Sequence, residues 1–215
     1  VLEETGGRGI PKDMAVDDDG NVYVTGVGYN PSRSPSWATV KYDPAGNRQW
    51  LSWLDGTASQ YDTALSLGVD NSGNVYVSGW VHNTGTGVDF GVAKYNSDGA
   101  EQWVHCFDLD SANDFAYSLG LDAAGNIYVG GEVASRDSWG ADYMVAKYDP
   151  AGNRLWGRRY HYRANRTAPG DEGMLLTVSA SGNVVITGRS ACPDSLWDMA
   201  TVKYDASGGS GWERR

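Results

Sequence analysis

Asp17-Asp18-Asp19-Gly20-Asn21-Val22-Tyr23-Val24-Thr25-Gly26 decides the fold, because near-copies of this phrase end at Gly79, Gly131 and Gly188. The anchor residues Asp17, Asp70, Asp122 and Ser179 lie 53, 52 and 57 residues apart. That period suits a four-stranded unit and is too long for one hairpin. In the second copy, Ala64 to Val69 alternates, reaches Asp70-Asn71-Ser72-Gly73-Asn74 and resumes as Val75-Tyr76-Val77-Ser78-Gly79, which reads as a β-hairpin. Asp opens the turn through its side-chain oxygen, Gly supplies a positive φ, and Asn tolerates the strained exit. Asp17, Asp19 and Asn21 also suggest a calcium loop. The other copies lack the second carboxylate and no Glu stands at the twelfth position, which favours the turn.

A third strand follows in each copy, marked by Val92-Ala93-Lys94-Tyr95 and by its echoes beginning at Thr39, Val145 and Thr201. The chain then turns through Asp43-Pro44-Ala45-Gly46-Asn47, a phrase repeated from Asp149 to Asn153, where Pro and Gly take the φ angles that suit them. Trp50, Trp103, Trp156 and Trp212 mark a fourth strand. Four antiparallel strands per repeat and no helical period predict an all-β β-propeller of four four-stranded antiparallel blades, about 10–54, 62–107, 114–160 and 171–215, in one domain. Joined end to end, the 215 residues contain a whole number of periods. Two closures fit that count: a closed four-bladed ring, or half of a larger ring completed by a second copy through a two-fold axis.

The phrases from Ala15 to Gly26 and from Asp142 to Trp156 resemble bacterial β-propeller repeats of the SBBP type, usually seven-bladed. The resemblance covers essentially the whole chain. It implies a propeller, often in exported or surface proteins of bacteria, and hence an extracellular or cell-surface location. It carries no catalytic residues onto this sequence.

Composition narrows the partners. With 40% hydrophobic residues the chain can bury a core, and its net charge of -10 argues against nucleic acid, whose phosphates it would repel. No apolar run approaches the roughly 18 residues of a membrane span, so membrane insertion is not expected. The sequence opens on Val1 with no signal-peptide pattern, which suggests a processed or excised chain. Cys106 and Cys192 occupy non-equivalent repeat positions, so a disulfide between them is not expected.

Function is expected where the repeats differ. In a blade, the second-to-third and fourth-to-first connections share one face, and these are the long, dissimilar ones. Tyr29, Trp80, His82, Trp139 and Trp197 fall there, where they could stack on a sugar or peptide or cover the neighbouring blade. The connection after Trp156 adds Arg158, Arg159, Tyr160, His161, Tyr162, Arg163 and Arg166, suited to an acidic ligand or to internal ion pairs. Asp62, Asp114 and Asp171, each eight residues before its anchor, could ring a central channel around a cation such as calcium or beside Arg8, or could cap their own loops. Capping is the reading favoured here, and no metal or other cofactor is expected. Asp89, Asp142 and Asp198, in step with Lys94, Lys147 and Lys203, are expected to tie blade to blade, as are the four recurring tryptophans.

No nucleophile elbow, zinc-binding helix or phosphate loop is present. The sequence therefore favours a non-catalytic binding module with a glycan or protein ligand on the long-loop face. The alternatives are a propeller-type glycoside hydrolase or lyase built from the channel carboxylates with Glu172 and His82 or His161, and a structural fragment of a longer repeat protein.

Overall fold

The computed structural model describes residues 9–32, 34–58, 60–108, 112–134, 141–162, 171–190 and 197–215. Trp139, Arg163, Arg166, Arg8 and Cys192 lie outside these. Among the described residues, sixteen strands form four antiparallel sheets, each in simple sequential order. The first holds β1 (Ile10–Val16), β2 (Val22–Tyr29), β3 (Pro35–Tyr42) and β4 (Arg48–Leu54). The second holds β5 (Thr63–Val69), β6 (Val75–Asn83), β7 (Gly87–Tyr95) and β8 (Glu101–Phe107). The third holds β9 (Asp114–Leu121), β10 (Ile127–Ala134), β11 (Ala141–Tyr148) and β12 (Arg154–Tyr160). The fourth holds β13 (Glu172–Val178), β14 (Val184–Ser190), β15 (Asp198–Tyr204) and β16 (Ser210–Arg214).

These sheets are propeller blades. The first strands β1, β5, β9 and β13 pack in succession, and each sheet lays its face on the next. Packing of that extent does not join the fourth sheet back to the first, so the described blades form an open arc.

The recurring turn explains its own sequence. Asp70 Oδ1 accepts the N–H groups of Ser72 (2.9 Å) and Asn74 (3.0 Å), while Oδ2 accepts the Asn74 amide (2.8 Å) and the Tyr76 hydroxyl (3.1 Å). Asp17 and Asp122 repeat this network. Both carboxylate oxygens are thus engaged within the turn, which is why an Asp stands there without a calcium ion's ligand set.

The glycine closing each phrase has a different cause. A Cβ on Gly26, Gly79, Gly131 or Gly188 would lie 2.2, 2.0, 1.9 or 1.9 Å from a carbonyl oxygen of the preceding strand. In each blade this strand carries a β-bulge at that point, placing one extra residue opposite the glycine.

Between blades, a tryptophan reaches across. Trp50 Nε1 donates to the Ser97 carbonyl (3.0 Å), Trp103 to Pro150 (3.4 Å) and Trp156 to Ala206 (3.1 Å). The lysines do tie blade to blade, but through carbonyls: Lys94 Nζ donates to Pro150 (2.8 Å) and Lys147 to Ala206 (3.1 Å). Their expected aspartate partners act locally instead, Asp89 accepting from Asn83 and Thr86, and Asp142 from Arg159. Trp212 departs from the pattern: it is 39% exposed, with no partner blade packed on it among the described residues.

Replacing Asp70 by Ala should cost about 1–3 kcal/mol at neutral pH, since several donors lose a charged acceptor. Desolvation raises the Asp70 pKa, but bonds from Asn74, Ser72 and Tyr76 outweigh it and hold the carboxyl below its ordinary 3.8. That stabilisation is present above pH 3.8 and is lost as the pH falls through the lower folded value. Urea unfolding of both proteins should therefore show a gap at pH 7 that narrows in acid.

Candidate functional site

Where blade three packs on blade two and on blade four, side chains that differ between repeats form a row. Trp80 on β6 meets Phe115 on β9 edge-on, with ring centroids 5.3 Å apart. Phe115 stacks beside Tyr117 at 6.1 Å and 11°. The Tyr117 hydroxyl donates to Glu132 Oε1 on β10 at 3.0 Å. Beyond it, Arg189 on β14 pairs with Glu172 on β13 and lies over the Trp197 ring at 5.0 Å. The row is half-buried, except for Arg189, which is exposed.

The bulge of blade three builds this arrangement. Glu132 is paired with Phe115 and Gly131 with Ala116, yet Gly130 pairs with Ser118, so Tyr117 is the extra residue and leaves the regular alternation. Its ring can then reach Glu132, fifteen residues on. Burial pushes the Glu132 carboxyl up to about 7; Glu172 adds to the rise, while the Tyr117 bond and Arg189 oppose it. Glu132 Oε2 is buried without a hydrogen-bond partner. The row therefore offers flat aromatic faces, one carboxyl that titrates near neutrality, and an ion pair.

Residues 5–31 match the SBBP beta-propeller repeat. No curated protein matches the chain. Among solved structures it resembles the extracellular domains 1–2 of Drosophila Semaphorin 1b, at 11% identity and TM-score 0.53 over 92% of this chain and 40% of that one. A structure titled as the eukaryotic initiation factor follows at 8% identity and TM-score 0.46, covering 95% and 55%; a tail fiber of Staphylococcus aureus phage P68 has 10% identity and TM-score 0.28, covering 95% and 48%. The likeness to the semaphorin domains concerns fold alone, and the chain spans 40–55% of the three chains it matches.

The residues expected to bind ligand fall into three groups. Trp80 and Trp197 belong to the row, and Trp80 also covers its neighbour blade as a packed aromatic. Trp80 and His82 sit inside β6 rather than in a long loop, because Gly85 and Gly87, both at φ 96°, allow a tight reversal of Asn83 onto Gly87. Tyr29 ends β2 and is half-buried.

A second group gathers at the junction of blades three and four. The nitrogen or carboxylate atoms of Asp142, His161 and Asp171 lie within 4.8 Å of one another. Their bonds are with protein: His161 Nδ1 and Arg159 with Asp142, and the Tyr162 N–H (2.7 Å) and Ser190 hydroxyl (2.6 Å) with Asp171. A cation there would compete with a guanidinium. Arg215 lies 3.4 Å from the centre of the Tyr162 ring. Tyr160 is buried and donates to Glu213 (2.9 Å) across the blade interface.

The carboxylates Asp62, Asp114 and Asp171 form the third group, all buried at the entrance to a first strand. Asp62 accepts the N–H groups of Gly56 (2.6 Å) and His82 (2.7 Å), and Asp114 that of Ala134 (3.0 Å). They cap loops. On the opposite face, a groove of about 360 Å³ runs between the turns of blades one and two, lined by Asp17, Asp18, Asp19, Asp70 and Lys41. Its anchors Asp17 and Asp70 are committed to their own turns, so it offers little directed chemistry.

Because the folded Glu132 pKa is raised from 4.5, its neutral form favours folding. The associated stability is fully present below pH 4.5 and is lost as the pH rises through about 7. Glu132→Gln should match the wild type in acid and exceed it above pH 7 by about 1–2 kcal/mol, after allowing for solvent screening at a half-buried site. Thermal unfolding across pH 4 to 9 measures the crossover.

Proposed function

We propose that this propeller arc is a non-catalytic binding module that takes a glycan along the row from Trp80 to Trp197. The observation that carries this reading is the contact series Trp80–Phe115–Tyr117–Glu132, with Arg189, Glu172 and Trp197 beyond it. Sugar rings present apolar C–H faces that stack on aromatics, and hydroxyls that bond carboxylates and guanidinium groups. Three blades supply the row, so a rigid scaffold fixes its spacing. Work at or outside the bacterial cell surface fits the SBBP likeness, and a protein ligand remains the competing occupant.

One observation favours a second reading, a glycoside hydrolase. Glu132, protonated up to about neutrality, lies close enough to the ion-paired Glu172 to feel its charge, and an acid beside a carboxylate is the pair such hydrolysis uses. Asp62 and Asp114, by contrast, accept backbone N–H groups in two different blades.

Calorimetric titration with neutral and acidic oligosaccharides should give saturable binding, weakened about fivefold or more by Trp197→Ala and by Phe115→Ala. No saturable sugar would sink the glycan reading. If aryl glycosides are turned over and Glu132→Ala abolishes the turnover, the hydrolase replaces it.

A further inference from the structure

Each of the three blade interfaces has the same two halves. The leading blade contributes a tryptophan whose ring lies on a positive-φ glycine in the next blade's third-to-fourth turn: Trp50 on Gly99, Trp103 on Gly152 and Trp156 on Gly208. A Cβ on those glycines would stand 2.6, 3.0 and 2.9 Å from the ring. The same indole donates to the carbonyl two residues before that glycine, and it lies near the next blade's Tyr95, Tyr148 or Tyr204, with centroids 6.4–6.5 Å apart. At the third interface Arg158, 5.8 Å over Trp156, adds a bond to the Gly208 carbonyl at 2.6 Å.

One unmatched half stands at each end of the arc. Blade four holds Trp212 with Arg214 over its ring, again at 5.8 Å, and Arg214 bonds the Glu213 carbonyl as Arg158 bonds that of Gly157. Blade one holds the corresponding turn: Gly46, at φ 83°, has nothing within 4 Å of the place a Cβ would take, and Pro44 is the counterpart of Ser97, Pro150 and Ala206.

The flanking apolar residues match the same division. Met199, the counterpart of buried Trp37, Phe90 and Tyr143, is 72% exposed; Met14, the counterpart of Leu67 at 7%, is 62% exposed. Leu175 and Val16 extend these two surfaces.

We propose that a second copy of this chain completes the interface, blade four of each copy docking on blade one of the other. Trp212 then lies on Gly46 beside Tyr42 and donates to the Pro44 carbonyl, Lys203 reaches the same carbonyl, Arg214 bonds that of Gly46, and Met199 and Leu175 cover Met14 and Val16. Such a contact is head-to-tail and closes when the rotations sum to a full turn. Two copies give eight blades, within the roughly four to eight that propellers use.

Light scattering on the intact protein tests this directly. The expected particle contains two chains of 23.1 kDa each. Trp212→Ala, Met199→Asp and Met14→Asp, all changes at positions exposed in the single chain, should each weaken association about tenfold or more while leaving the cooperative melt in place. Mixing the Met199→Asp and Met14→Asp proteins should restore association, because each pair then has one intact interface. A wild type that stays monomeric up to high concentration overturns the proposal. So does a dimer indifferent to all three changes, or a mixture that associates no better than either variant alone.

Discussion

The arc depends on an indole crossing from one sheet to the next. β-Sheets stacked face to face through aliphatic side chains could slide, since apolar contact has little direction. A tryptophan that must lie on a glycine and donate to a particular carbonyl fixes both spacing and rotation. Gly99, Gly152 and Gly208 lack a side chain for two reasons at once: their turns need positive φ, and the ring leaves no room for a Cβ. Around this contact, an Asp holds a Tyr and a Lys lies over the same ring, 5.2, 5.3 and 4.8 Å from its centre in blades one to three. Blade four, with Val185 in place of that Tyr and Ser179 in place of Asp, lacks the assembly.

The same bulge recurs in all four blades but serves different ends. In blades one, two and four the extra residue is Lys12, Leu65 or Met174; in blade three it is Tyr117. One irregularity shared by the scaffold thus becomes a way of directing a phenol at a buried carboxyl. The candidate site needs no special backbone, only a changed side chain on a backbone feature already present.

This division explains what the sequence disclosed. Repetition made the sheets, the turns around Asp70 and the packing role of Trp50, Trp103 and Trp156 legible, because the same physical demand left the same residue each time. Trp80 and Trp197 were visible because they differ from their counterparts. Phe115, Tyr117, Glu132 and Arg189 passed unnoticed, although Thr63 and Glu172 at the Phe115 position, and Trp80 and Arg189 at the Glu132 position, show the same kind of divergence. They lie inside strands, where alternation suggests packing, and the bulge that turns Tyr117 out leaves no local mark beyond a glycine easily taken for a turn. The aspartate–lysine pairing failed for a related reason: equal spacing along the chain does not give two side chains the same neighbours, and carbonyls invisible to sequence patterns took the lysines.

Because blades one to three each lend a ring forward, and blades two to four each receive one from behind, the arc has a sense of travel. Damage to the third-to-fourth turn of blade three would release Trp103 in blade two, yet leave Trp156, anchored on blade four, where it is. Disturbance is therefore felt upstream first, and the blades are ordered as links whose hooks all face one way.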